Sequence, residues 1–201
     1  MRCELISWNT VYRLAERISN LILDSGFRPD VIIAVARGGY VPARILCDFL
    51  DIYALTSIRV VHYAGGARKK PEACVTDSIC TDIQDKRVLI VDDVSDTGDT
   101  YEAAINHLGK FQPKEIRTAV LLHKITAKYQ PDFIARKVIK WRWMIYPWAV
   151  IEDLTGFIEG MEPGPASVEE IDRRLQSDYG LHLPARKLEM LSRIRTDRRA
   201  S

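Results

Sequence analysis

Four carboxylates, Asp92, Asp93, Asp96 and Asp99, fall within eight positions of this chain and are interleaved with Ser95, Thr97, Gly98 and Thr100. Upstream, Val88 to Val91 form an unbroken apolar run, the pattern of a strand buried on both faces of a parallel sheet. The strand is expected to stop at Asp92 and Asp93. Ser95 to Thr100 then turns tightly, with side-chain oxygens available to cap a helix. That helix is expected over Tyr101 to Leu108, with Ala104, Ile105 and Leu108 on its apolar face. Its leading N–H groups, placed at Thr97 to Thr100, would point outward and bind phosphate. Yet the turn lacks the lysine of a nucleotide-binding P-loop, and its carboxylates would repel a bare phosphate. A ligand carrying phosphate, a vicinal diol and a divalent cation satisfies the whole set, because amides take the phosphate and carboxylates take hydroxyls and metal. That ligand is a sugar phosphate. Any one of these residues is ordinary in a strand-to-helix turn, but four carboxylates in so short a span are not.

A second special turn lies earlier. Val31 to Ala36 is another apolar run, and it leads into Arg37-Gly38-Gly39 before a helix expected to open at Val41 with Pro42 in its first turn. Two glycines let backbone N–H groups approach an anion, and Arg37 adds a directional donor. Alone, the same letters also fit a tight connection needing positive φ.

The stretch Val88 to Thr100 resembles the phosphoribosyl-diphosphate signature of the type I phosphoribosyltransferases: an apolar strand, an acid pair, then D-T-G-x-T. Asp92 and Asp93 match the acid pair, and Asp96, Thr97, Gly98 and Thr100 match the loop, with Asp99 where several members have a second Gly. Aspartic proteases also carry a D-T-G, but in an all-β fold. Phosphorelay receivers have a strand-end acid pair but not the D-T-G-x-T turn. The resemblance implies that Arg37, Gly38 and Gly39 hold the pyrophosphate end of the donor, while Asp92, Asp93, Ser95, Asp96, Thr97, Gly98, Asp99 and Thr100 hold the phosphoribosyl part. Two anion-binding turns at the carboxyl ends of neighbouring parallel strands fall where open α/β sheets bind ligands. It further implies Mg2+ at Asp92 and Asp93, and Asp96 as the catalytic group that accepts the purine proton.

Two more sites are implied by the 6-oxopurine branch of that family. Lys124 comes after the apolar run Ile116 to Leu122, and the resemblance gives it the purine's exocyclic oxygen. Trp143, Pro147 and Trp148 match a W-x-x-x-P-W pattern, implying that Trp143 stacks on the purine and the Met144 backbone reads its edge. Trp141 and Trp148 are expected in core or interface. Related enzymes also close a flexible loop over the reacting centre, so the basic Arg68-Lys69-Lys70 run is a lid candidate, its alternative being a solvated loop.

Around these sites, 201 residues at 47% hydrophobic content suffice for a sizeable core. A net charge of +2 from 29 basic and 27 acidic residues gives no global argument for a polyanionic partner. Charges interrupt every apolar stretch near the start, so neither export nor membrane insertion is expected and the location is read as cytoplasmic. Cys3, Cys47, Cys74 and Cys80 lack metal-ligand spacing and read as free thiols. A first helix is expected over Ser7 to Asp24, with Val11, Leu14, Ala15, Ile18, Leu21 and Ile22 at helical spacing and Gly26 stopping it, and a strand over Ile52 to Tyr63. After a GMEPGP linker, Ser167 and Glu170 form a capping box, and a further helix starts near Pro184.

The expected fold is α/β, a mostly parallel twisted sheet flanked by helices, with residues 1–155 as the transferase domain and 156–201 as a C-terminal helical extension with a basic tail. The expected activity is transfer of the 5-phosphoribosyl group of phosphoribosyl diphosphate to guanine, hypoxanthine or xanthine, in a homodimer or higher homo-oligomer. The rival reading is a regulator of the same fold that senses donor or nucleotide and binds nucleic acid through the tail. Asp96, Lys124 and Trp143 together favour catalysis, since a donor sensor needs no purine-reading groups.

Overall fold

Apolar runs and glycine punctuation set the order of elements in the computed structural model, which describes residues 1–63 and 72–200. From the amino end these are β1 (Cys3–Leu5), α1 (Trp8–Asp24), β2 (Val31–Ala36), α2 (Tyr40–Phe49), β3 (Leu55–Tyr63), β4 (Glu72–Asp77), β5 (Arg87–Ser95), α3 (Asp99–Leu108), β6 (Glu115–Lys124), β7 (Phe133–Val138), β8 (Trp143–Ile145), α4 (Val150–Glu159), α5 (Val168–Arg174) and α6 (Ala185–Ala200). They fall into two units, Asn9–Ile139 and Met1–Trp8 with Lys140–Ser201.

The unit Asn9–Ile139 is built on a six-stranded sheet in the order β4-β3-β2-β5-β6-β7. Its pairings are parallel except for β3 with β4, and helices flank it, as the α/β reading expects. β2 and β5 are continuous apolar runs because they are central and covered on both faces; Val31 to Ala34 and Val88 to Ile90 are fully buried. On one face Tyr101, Ala104 and Leu108 of α3 pack with Ile33, Ile58, Ile90 and Val120. Each such aliphatic side chain contributes about 1.5–3 kcal/mol by leaving water. In α1, Val11, Ala15, Ile18 and Ile22 are buried at helical spacing, whereas Leu21 is exposed. Gly26 ends that segment at φ +75°, a conformation costly for any residue with a Cβ.

Three boundaries differ from the sequence reading. β5 does not stop at Asp92 but runs through both acids to Ser95, paired all along with β6. β6 likewise extends to Lys124. β3 begins at Leu55 rather than Ile52, because Asp51 turns the chain at φ +55°. In the first two cases ladder hydrogen bonds to a neighbouring strand outweigh the polarity of the side chains, which local composition cannot register.

In the second unit β1 pairs in parallel with β8. Cys3 and Ile145 from this pair share a core with Leu154 and Ile158 of α4 and with Leu175, Leu188 and Leu191. Ser167 caps α5 as expected, its Oγ accepting from Glu170 N–H at 3.2 Å. The return bond differs from a standard box, since Glu170 Oε2 accepts from Ala166 N–H at 2.8 Å. A π-helical turn, Leu175–Tyr179, continues α5 and ends at Gly180 with φ +71°. Trp148 lies between Trp8 and Tyr146, at ring-centre distances of 5.7 and 4.7 Å; Trp141 is largely exposed. All four cysteines are free. Among the described residues no helix is long and apolar enough to cross a membrane.

Candidate active site

β2 and β5 are neighbours, yet the chain leaves β2 toward β3 on one side and β5 toward β6 on the other. That reversal opens a crevice outside the carboxyl ends of the two strands, and both special turns lie there. The Asp93 carboxylate rests directly on the first turn: a Cβ placed on Gly38 would lie 2.5 Å from Asp93 Oδ2. Gly39 is needed for another reason. Its N–H donates to Val35 O at 2.8 Å, and a Cβ there would strike Val91 O and sit 2.7 Å from Val35 O. The Gly39 N–H thus closes the turn, and Arg37 in the same turn is exposed. The peptide joining Ala36 to Arg37 is cis.

Asp92 and Asp93 are consecutive in β5, and their carboxyl groups are hydrogen-bonded to each other. Asp92 is buried on the α3 side. Burial pushes its carboxyl well above the usual range, the adjacent Asp93 charge pushes it further, and Asp93 N–H, donating to Asp92 Oδ1 at 2.9 Å, pulls the other way. A pair of acids held this close is electrostatically incomplete, and oxygen ligands of this kind suit a hard divalent cation. Among the described residues no group of three or more His, Cys, Asp or Glu could hold a metal alone. The chemistry of this pair is compatible with Mg2+, for which the two acids would be partial ligands.

The phosphate loop comes next along the chain. Gly98 stands at φ +95° immediately before α3, and its carbonyl accepts from Tyr101 and Glu102 N–H at 3.0 and 3.2 Å. The amides of Asp99 and Thr100 thus lead the helix, where no carbonyl one turn back can meet them. As composition leads one to expect, a side-chain oxygen of the turn meets a leading amide: Asp99 N–H donates to Thr97 Oγ1 at 3.4 Å. The same hydroxyl donates to Asp99 Oδ2 at 3.0 Å. Ser95 also departs from expectation. As the last residue of β5 it is buried, and its Oγ has no hydrogen-bond partner, so it faces the protein interior rather than the loop.

One residue beyond the paired Ser95 and His123 stand Asp96 and Lys124, and Lys124 Nζ donates to Asp96 Oδ2 at 2.7 Å. The lysine side chain is 5% exposed and the carboxylate 43%. This is a buried cation beside an accessible anion at the crevice mouth. His123 is buried too, and burial and the nearby Lys137 charge lower its pKa.

In the other unit, Trp143 is partly exposed. Its side chain hydrogen-bonds the Asp153 carboxylate, whose pKa burial raises and this bond lowers. Its ring stands edge-on to Phe157 at 6.3 Å. Trp143 N–H donates to Arg2 O, and Ile145 O accepts from Ile6 N–H. In a parallel pair this alternation directs the N–H and C=O of Met144 to the opposite edge of β8. Arg68, Lys69 and Lys70 lie outside the described residues. Tyr129 packs against the loop at Gly98, a role that the sequence does not reveal, since a lone tyrosine in a polar connection carries no periodic signal.

The family described as phosphoribosyl transferase domain matches residues 4–152. The chain is 31% identical over 143 residues to a xanthine-guanine phosphoribosyltransferase of Desulfotalea psychrophila, covering 71% of this chain and 84% of that protein. It is 28% identical to a hypoxanthine-guanine phosphoribosyltransferase of Saccharomyces cerevisiae, covering 72% and 85%. Among solved structures, a purine phosphoribosyltransferase from Pyrococcus horikoshii superposes with a TM-score of 0.64 at 37% identity, covering 74% of this chain and 94% of that one.

Proposed function

Since this chain belongs to the phosphoribosyltransferase family, we propose that it is a purine salvage transferase that moves the ribosyl phosphate of phosphoribosyl diphosphate onto a 6-oxopurine and releases pyrophosphate. The observation that carries this reading is the Lys124–Asp96 pair beside a phosphate loop at the reversal of strand order. In this reading the lysine is a donor for a purine carbonyl oxygen and the carboxylate an acceptor for a purine N–H.

In this reading the amides leading α3 take the 5-phosphate, and Arg37 with the Gly38 turn takes the pyrophosphate. Asp92 and Asp93 hold the ribose hydroxyls and Mg2+; the ion, when bound, neutralises the charge gathering on the leaving pyrophosphate. As the bond between the anomeric carbon and the pyrophosphate oxygen breaks, the sugar becomes oxocarbenium-like. A purine nitrogen then bonds to that carbon, and the proton it sheds passes to Asp96. The partly exposed carboxylate also favours the cationic sugar. Lys124 donates to the purine's exocyclic oxygen, selecting 6-oxopurines over adenine. Trp143 and the Met144 backbone are purine contacts on the sequence resemblance. We further assign residues 1–155 to the transferase domain and 156–201 to an appended subunit contact in a cytoplasmic homo-oligomer.

An ultraviolet assay with phosphoribosyl diphosphate, Mg2+ and each purine in turn tests the reading. Turnover of guanine, hypoxanthine or xanthine with adenine inert is expected; turnover of none of them contradicts it.

A further inference from the structure

We propose that Tyr129 is a positioning residue for the donor: its ring anchors the segment after β6 that holds the phosphate loop in shape. Three consecutive loop residues are gripped by the last residue of β6 and that segment. Lys124 Nζ takes Asp96 Oδ2 at 2.7 Å, Lys128 N–H donates to Thr97 O at 2.8 Å, and Tyr129 covers Gly98. The fit at Gly98 is close, since a Cβ there would lie 2.7 Å from both Tyr129 N and Tyr129 Cβ.

The anchoring itself is done by the side chain. The Tyr129 ring stacks on Tyr101 at 5.4 Å and 25°, and its hydroxyl pairs with Thr118 Oγ1 at 3.1 Å. Both partners are buried and hydrogen-bonded. Tyr101 is fully buried in α3 and donates its O–H to Ala119 O at 2.9 Å. Thr118, buried in β6, donates its N–H and O–H to Asp132 Oδ2, each at 2.8 Å, and accepts Asp132 N–H at 3.0 Å. One aromatic side chain thus joins the loop, the helix whose first amides meet the phosphate, and the strand that ends in Lys124. A loop held this way is ordered before the donor arrives, so binding loses less conformational entropy. The segment follows directly on Lys124, the last residue of β6, which fixes the purine-side donor relative to the phosphate side.

This inference rests on the loop being the donor site, and its test separates the two. Amide exchange is measured at Thr97 to Thr100 alongside steady-state kinetics for Tyr129→Ala and Tyr129→Phe. The alanine variant is expected to speed exchange at those amides while leaving the Gly38 turn unchanged, and to raise the donor KM by about tenfold with kcat within about threefold of wild type. Phenylalanine keeps the stack on Tyr101 and is expected to stay within about twofold on both kinetic measures. If the alanine variant does not fold, Tyr129→Leu keeps apolar volume without the planar stack and is expected to behave the same way. Unchanged loop exchange and unchanged donor KM in the alanine or leucine variant overturn the proposal. Faster loop exchange in a protein that transfers to no purine upholds the anchoring role while overturning the transferase reading.

Discussion

Lys124 Nζ and Asp96 Oδ2 meet at 2.7 Å across the carboxyl ends of two adjacent parallel strands. The lysine side chain is buried, and the carboxylate is its ion-pair partner. Asp96 keeps acceptor capacity, since a carboxylate has several lone pairs and one lysine bond uses one of them. The pair can therefore accept a purine proton on one side and donate to a purine oxygen on the other.

Asp96→Asn removes the proton acceptor but keeps the shape and an oxygen for Lys124. Turnover is expected to fall by roughly 10²–10⁴, the usual contribution of a general base, with donor binding by calorimetry nearly intact. Unaltered turnover would remove Asp96 from the mechanism.

Lys124→Met keeps the buried stem and deletes the ammonium. Losing a charged hydrogen bond to the purine is expected to raise the purine KM by roughly 10- to 100-fold, with the donor KM within about twofold. Equal rises for both substrates would show that Lys124 acts on the loop as a whole.

The two glycines of the first turn are expected to fail differently. Alanine at Gly38 displaces the Asp93 carboxylate, which can swing aside, so Gly38→Ala should weaken Mg2+-dependent donor binding while the melting temperature moves little. Alanine at Gly39 meets the carbonyls of Val91 and Val35, which are fixed in the backbone. Gly39→Ala should therefore cost about 1–3 kcal/mol of stability, the usual range for overpacking. Thermal melts beside calorimetric titrations of the two proteins check the contrast.

Acid stability depends on Asp30, which lies at the other end of the sheet. Its carboxylate accepts from Arg87 N–H at 2.7 Å and from the guanidinium at 2.7 and 3.0 Å. The side-chain hydrogen bond, helped by the backbone one, holds its pKa at about 2, below the ordinary 3.8. A carboxyl with a depressed folded pKa stabilises the fold above its unfolded value, and that stability disappears as pH falls from about 4 to about 2. The urea midpoint of Asp30→Asn should accordingly lie below wild type at neutral pH and converge on it near pH 2. A constant gap would assign the effect to something other than ionisation.

The features legible in the sequence are those that one element encodes alone. β2 is read at its observed bounds, Val31–Ala36, because two-sided burial leaves an unbroken apolar run. Gly26 and Ser167 carry turn and cap chemistry in their own letters. Extension of β5 through Asp92 and Asp93 is not legible, because the pairing that sustains it belongs to β6. Ser95 is misplaced with it, since adding strand residues turns its side chain inward. The use of the Gly39 N–H within its own turn depends on where Val35 O lies, and the Tyr129 anchor depends on Tyr101 and Thr118. These are contacts between distant positions, on which local composition is silent.

In the proposed mechanism the amides leading α3, the Gly38 turn and the Asp92–Asp93 pair together hold an activated pentose, and a crystal structure with phosphoribosyl diphosphate and Mg2+ puts that to the test. The predicted result is the 5-phosphate on the Thr97 to Thr100 amides, the ribose hydroxyls and metal at Asp92 and Asp93, and the pyrophosphate against Arg37 and Gly38. A donor that binds in solution yet sits elsewhere in the crystal, with these groups untouched, would contradict it.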